Sequence, residues 1–259
     1  MPSLKNKTIF ITGASSGIGK ACSDLFASEG ADLIISARRI ERIEKLSEEL
    51  SKKSGAKIHA IQMDVRNRKE VQEKISSIPK EFQKIDVLLN NAGLARGFNK
   101  IYEGNIDHWE EMIDTNIKGL LYVTRQVLPS MIERKKGHIV NIGSTAGHEV
   151  YVNGNVYCAT KFAVNALTQA IRLDVLDKNI KVSTVDPGMV LTEFSSVRFS
   201  GDEEKAGKVY EGLKPLSPKD IAEVILFCIT RPEHVNINEI IMTPAAQASS
   251  NFIYRENKS

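Results

Sequence analysis

Cysteine is scarce: Cys22, Cys158 and Cys228 are three in 259 residues, odd in number and far apart. That excludes a disulfide-stapled secreted scaffold and points to structural thiols in a reducing compartment. The five histidines, His59, His108, His138, His148 and His234, show no ligand spacing either, so no metal is expected. No apolar run of the chain approaches the ~20 residues that cross a bilayer. Met1–Lys7 is short and polar, without room for the apolar region of a signal peptide before Thr8-Ile9-Phe10-Ile11 begins. An excess of one charge is also missing, since 35 Lys and Arg face 32 Asp and Glu. The basic cluster Arg134-Lys135-Lys136 precedes a strand and reads as a solvated helix end, so no nucleic-acid partner is expected. Linkers, internal repeats and low-complexity stretches are absent as well. What these absences leave is a cytoplasmic protein with one domain, 1–259, ample for a single large core.

What is present is alternation. Strand patterns fall at Lys7–Thr12, Asp32–Ala37, Lys57–Met63, Asp86–Asn90, His138–Ile142, Lys181–Val185 and Glu239–Thr243. Several are almost continuously apolar, as strands buried on both faces must be. Between them, helical periodicity covers Ile18–Glu29, Ile40–Ser54, Lys69–Phe82, Ile106–Arg134, Tyr157–Asp177 and Pro218–Thr230. The alternation predicts an α/β fold, one doubly wound parallel sheet of seven strands with helices on both faces. Glu193–Lys214 is polar and irregular, which marks it as a small lid.

Thr12-Gly13-Ala14-Ser15-Ser16-Gly17-Ile18-Gly19 follows the first strand and opens the first helix. Glycines at these points allow a tight turn and close backbone approach, and the helix amides can then hold a pyrophosphate. Glycines alone would be a weak sign; the strand–turn–helix setting makes this a Rossmann dinucleotide site. The second strand ends in Ala37-Arg38-Arg39. An acidic residue there would bind the ribose 2′-hydroxyl of NAD, whereas two guanidiniums suit the 2′-phosphate of NADP. Asp64, after the third strand, either bonds the adenine amino group or caps the next helix.

Asn141-Ile142-Gly143-Ser144 closes the fifth strand, and Tyr157-Cys158-Ala159-Thr160-Lys161 stands thirteen residues beyond Ser144 at the head of a helix. The four-residue spacing puts Tyr157 and Lys161 on one helix face. Reduction of a carbonyl needs a proton donor and oxidation of an alcohol needs a base. A free tyrosine has a pKa near 10, so work near neutrality demands a shift of about two to three units, or about 3–4 kcal/mol. One ammonium at ~4 Å is worth about 4 kcal/mol at an effective dielectric of 20, so Lys161 can supply it, aided by an oxidised nicotinamide. Ser144 would bond the substrate oxygen.

Together with Asn90-Asn91-Ala92-Gly93, Asn116 and Asp186-Pro187-Gly188 with Thr192, these residues resemble the short-chain dehydrogenase/reductase superfamily over nearly the whole chain. The resemblance implies catalysis by Ser144, Tyr157 and Lys161, with Asn116 helping to hold a proton-relay water. It implies cofactor contacts from Gly13, Ala14, Ser15, Ser16, Gly17, Ile18 and Gly19, from Arg38 and Arg39, and from Asp64 and Val65. Asn91, Ala92 and Gly93, then Tyr157 and Lys161, then Pro187, Gly188, Val190 and Thr192 complete that set. Ser144 and Tyr157 would touch substrate. A homotetramer is implied too, paired through the two long helices.

The finer similarity is to NADP-dependent 3-hydroxy acid dehydrogenases, also called serine or allo-threonine dehydrogenases and malonic semialdehyde reductases. It rests on Ile142–Gly147, Gly154–Tyr157, Thr192–Ser195, Val197-Arg198-Phe199, Gly201-Asp202 and His234–Asn238. It implies small hydroxy acids or semialdehydes as substrates. A small acid needs a cationic or amide partner for its carboxylate, and Arg96, Arg198, Asn153 and Gln247 are equal candidates. His148 is either a substrate contact or a polar loop residue, and Cys158 reads as packing. A 3-oxoacyl-carrier-protein reductase, a broad ketone reductase or a non-catalytic NADP sensor would share much of this text.

Overall fold

The computed structural model describes residues 4–256, so Met1–Ser3 and the last three residues of the expected 1–259 domain lie outside the described residues. Strands β1 (Thr8–Thr12), β2 (Asp32–Ala37), β3 (Ile58–Gln62), β4 (Ile85–Asn90), β5 (Gly137–Ile142), β6 (Ile180–Pro187) and β7 (Glu239–Met242) form one seven-stranded sheet. Its order is β3-β2-β1-β4-β5-β6-β7, with every pairing parallel. The order reverses between β1 and β4, which opens a crevice at the carboxyl ends of those strands.

The five inner strands are buried on both faces, and their alternating side chains feed two cores. Ile9 and Ile11 of β1 pack with Leu33 and Ile35 against helices α1 (Gly17–Ser28), α2 (Ile40–Ser54) and α9 (Pro218–Ile229). Phe10, Ile34, Leu88 and Ile139 point the other way, toward α3 (Arg68–Ser76), α5 (Leu120–Arg134) and α6 (Asn155–Asp174). Local chemistry sets the helix ends. Ser217 and Asp220 make a reciprocal capping box behind Pro218 at the start of α9. Asn67 accepts from two amides at the start of α3, and Gly55 closes α2 in the left-handed region.

Four expected elements differ in detail. The predicted Lys69–Phe82 helix stops at Ser76, and only a single 3-10 turn, Lys80–Phe82, follows before β4. The predicted Tyr157–Asp177 helix begins earlier, at Asn155, and ends at Asp174. The Ile106–Arg134 segment is helical throughout but not uniform: α4 (Ile106–Ile113) runs through a π-helical stretch, Asp114–Gly119, into α5. A π turn breaks the 3.6-residue register and re-aims one side chain, which periodicity cannot foretell. Finally, the lid is not structureless. It folds into α7 (Phe194–Arg198) and α8 (Glu203–Lys208), and Tyr210 Oη bonds Val190 O at 2.9 Å and Ser195 Oγ at 2.8 Å. Among the described residues no helix is long and apolar enough to cross a membrane.

Candidate active site

A cavity of about 700 Å³ opens at the carboxyl ends of β1, β4 and β5 and is roofed by the lid. Its floor at one end is the glycine turn. Gly13 and Gly17 have φ of +69° and +55°, which side-chain-bearing residues rarely adopt. A Cβ on Gly19 would lie 2.5 Å from the Gly13 carbonyl oxygen, so the helix can approach the turn only without one. No side chain caps the first amides of α1, although Ser16 stands at the capping position. A bare helix start under a glycine turn is an anion cradle, so these residues fit the pyrophosphate of a dinucleotide. Asn91 fixes the turn from β4, donating Nδ2 to Thr12 O at 2.8 Å and Gly13 O at 3.1 Å. Thr12 Oγ1 accepts in return from the amides of Asn91 and Ala92.

Arg38 and Arg39 both line the cavity, at the end of β2. Arg39 donates to Ser15 Oγ at 3.0 Å and Ser16 Oγ at 3.1 Å, and meets Glu193 of the lid at 3.0 Å. Arg42 holds the other oxygen of Glu193 at 2.7 Å. Exposed pairs of this kind are worth ~0–1 kcal/mol, so a 2′-phosphate can replace Glu193 on Arg39 at little cost. Arg38 lies 3.6 Å from Glu111, a carboxylate that also holds Arg66 at 3.2 Å and Arg96 at 2.7 Å. Burial works against the Glu111 charge, but Arg96 and its neighbours keep the carboxyl below its ordinary range. Asp64 lines the cavity but does not cap α3; both its oxygens receive Arg66.

The catalytic candidates meet at the other end. Ser144 extends from β5, and Tyr157 and Lys161 rise from the first turns of α6. Tyr157 is buried, packed edge-on against Phe194 with ring centroids 5.6 Å apart. Burial pushes its phenol well above the ordinary value, and Tyr151 adds to this; the Ser144 hydroxyl bonds it and draws it back, as does the Arg198 charge. The Lys161 ammonium is 5.9 Å from the Tyr157 ring centroid and donates to Ile142 O at 2.9 Å. Its own burial lowers it to about 8, against the pull of Asp186. The expectation that Lys161 can supply the phenol's shift is therefore not met by the protein alone. Desolvation is the largest influence on the phenol in the ligand-free protein, and burial weakens the lysine's charge as well.

Most of the other sequence-predicted residues line the same cavity: Ile18, Val65, Ala92, Gly93, Pro187, Gly188, Val190 and Thr192. Ala14, Gly19 and Asn116 do not; Ala14 is fully buried and Gly19 is locked under the turn. Asn116, on the π stretch, has both amide hydrogens and one acceptor position engaged by protein. It exchanges bonds with the amide and carbonyl of Leu94 at 2.9 Å each and donates to Thr160 Oγ1 at 3.0 Å. Its side chain thus ties the β4 loop to the Tyr157 helix. His148 is not in the cavity wall: its ring bonds the buried Asp186 at 2.8 Å. With Glu239 those two place ligand-type atoms within 4.8 Å of one another, a grouping that sequence spacing did not reveal. Cys158 is buried, as read. Phe98, Tyr151 and Glu111 are functional neighbours that sequence reasoning missed, because only tertiary contact brings them to the site.

The short chain dehydrogenase profile matches residues 7–203. The NADP-dependent 3-hydroxy acid dehydrogenase of Schizosaccharomyces pombe is 47% identical over 257 residues, 99% of each chain. The serine 3-dehydrogenase of Rhizobium radiobacter is 39% identical over 251 residues, 96% of this chain and 99% of that one. Among solved structures, the closed form of a serine dehydrogenase complexed with NADP+ superposes with a TM-score of 0.91 at 43% identity, covering 96% of this chain and all of that one. The glycine cradle, the serine–tyrosine–lysine group and these matches agree: the chain belongs to the short-chain dehydrogenase family.

Proposed function

We propose that this protein is an NADP-dependent oxidoreductase that oxidises the 3-hydroxyl of small 3-hydroxy acids such as serine, allo-threonine or 3-hydroxypropionate, or reduces the matching semialdehyde. The observation that carries the reading is the convergence of Ser144, Tyr157 and Lys161 on one cavity with the glycine cradle and the Arg38–Arg39 pair. The names of the relatives support the substrate class.

When bound, the nicotinamide nucleotide supplies the hydride acceptor for oxidation or the donor for reduction. The chain does the rest. The cradle at Gly13–Gly19 and the hydroxyls of Ser15 and Ser16 hold phosphate, with Ala14 carried in the turn. Asp64, Val65, Asn91, Ala92 and Gly93, together with Pro187, Gly188, Val190 and Thr192, line the cavity and would contact the bound nucleotide. Ser144 orients the substrate oxygen toward Tyr157, which takes the hydroxyl proton in oxidation and returns it in reduction. Lys161 holds charge beside the phenol and contacts the ribose, and Asn116 keeps the two supporting segments in place. Exposed Phe162, Leu173 and Leu176 on and after α6, with Leu121 on α5, are the faces through which copies would pair into a homotetramer.

The test is a substrate panel run with NADP+ and NAD+ side by side. Small 3-hydroxy acids should be oxidised with NADP+ in preference to both neutral secondary alcohols and carrier-bound 3-hydroxyacyl thioesters. Preference for acyl thioesters would move the reading to an oxoacyl reductase, and no turnover at all would make it a binding protein. Arg38→Ala and Arg39→Ala should each raise the KM for NADP+ with little change for NAD+. A lost charged hydrogen bond costs about 1.5–3 kcal/mol, or roughly 10- to 150-fold. Equal use of the two nucleotides by the unmodified protein would refute the 2′-phosphate assignment.

A further inference from the structure

Of the four candidates for the substrate's acid group, two are already engaged by the fold and a third lies outside the cavity wall. Arg96 donates to Glu111 at 2.7 Å and to Val197 O at 3.0 Å. Gln247 accepts from Met189 N at 2.9 Å and donates to Ser249 O at 3.2 Å. Asn153 lies outside the cavity wall.

Arg198, on α7 of the lid, differs. Its guanidinium carbon stands 4.7 Å from the Phe98 ring centroid, 5.5 Å from that of Tyr151 and 5.6 Å from that of Tyr157. Nη1 donates to Tyr151 Oη at 2.9 Å and Nε to Gly97 O at 3.2 Å. A guanidinium has five N–H donors, so others remain for a ligand. Among the described residues no carboxylate pairs with it, whereas Arg38, Arg39 and Arg96 of the same cavity each face one. Arg255, also in the wall, is spent on the carbonyls of Val209 and Glu211. The backbone around Arg198 is fixed as well, since Gly97 N donates to Arg198 O at 2.9 Å. A half-buried, rigidly stacked cation without an anion, beside the proton-carrying ring, is a site that an anionic ligand completes.

We propose that Arg198 binds the substrate carboxylate while Tyr157 meets the 3-hydroxyl, so that the lid itself selects small 3-hydroxy acids over neutral alcohols. This deepens the function proposed above and rests on it for the identity of the acid. The geometry suits the substrate. In a 3-hydroxy acid the carboxyl carbon lies two bonds, about 2.5 Å, from the carbinol carbon. That short span fits between a phenol and a guanidinium stacked on the same ring.

The decisive comparison is 3-hydroxypropanoate against its methyl ester in the unmodified protein, Arg198→Gln and Arg198→Lys. Because the Arg198 charge also favours the Tyr157 phenolate, effects common to both substrates are removed by taking the acid-to-ester ratio of kcat/KM. That ratio should fall about 100-fold in Arg198→Gln, chiefly through the KM for the acid, and recover in part in Arg198→Lys. Propanoate should bind the NADP+-loaded protein by ligand-observed NMR and lose that binding in Arg198→Gln. An unchanged ratio with retained propanoate binding overturns the assignment. If the unmodified protein oxidises neither compound, the dehydrogenase reading fails, and the propanoate titration still decides Arg198 on its own.

Discussion

Tyr157→Phe should lower kcat by about 100-fold or more while NADP+ binding and the thermal midpoint stay near those of the unmodified protein. The ring is what packs: it is buried, meets Phe194 edge-on and lies beside the Arg198 guanidinium. Phenylalanine keeps those contacts and loses only the hydroxyl that bonds Ser144. Oxidation needs the phenolate, so the unmodified rate should climb with pH as the proton leaves. In the protein alone burial holds the phenol above its ordinary value. The midpoint of that limb in the cofactor-bound enzyme therefore measures how far neighbouring charge brings the phenol down. An apparent pKa well below 10 is expected, and the limb should vanish or pass to another group in Tyr157→Phe. A variant with near-normal kcat and the same limb would make some other residue the base.

Lys161→Ala should do more damage, because it removes charge and a cofactor contact together. The ammonium is buried, donates to the Ile142 carbonyl at 2.9 Å and is lowered by burial to about 8, so its charge beside Tyr157 is largely present only well below that pH. Removing a cation raises a neighbouring phenol, so the alkaline limb should move to higher pH as kcat falls. The KM for NADP+ should rise at the same time. Lys161→Met keeps the stem and removes only the charge. If Lys161→Met retained the limb at its original position, Lys161 would be a packing residue and the electrostatic role would be excluded.

Much of this was legible because the signals are local. Near-continuous apolar runs mark strands covered on both faces, and the switch from a two- to a 3.6-residue period marks the helices between them. The glycine turn, the arginine pair after β2 and the tyrosine–lysine spacing are short-range patterns with a direct geometric meaning. What proved harder lies where one segment answers to another far along the chain. From the π stretch Asn116 bonds the backbone of Leu94, and Gly119 passes where a Cβ would lie 2.7 Å from Val65. Neither constraint is written in the periodicity of residues 106–134.

The sequence by itself determined the sheet, its two cores and the dinucleotide cradle, and it singled out Tyr157 as the proposed proton carrier, because each follows from residue type and spacing along one or two adjacent elements. Only the tertiary structure decided the electrostatics. It turned the expected help from Lys161 into a contest with burial and drew His148 away to Asp186. It also separated Arg198 from Arg96 and Gln247, whose polar groups the fold already engages, and from Asn153, which lies outside the cavity wall. Charge and desolvation depend on distance in space, and the chain brings residues 98, 151, 157 and 198 together only when it folds.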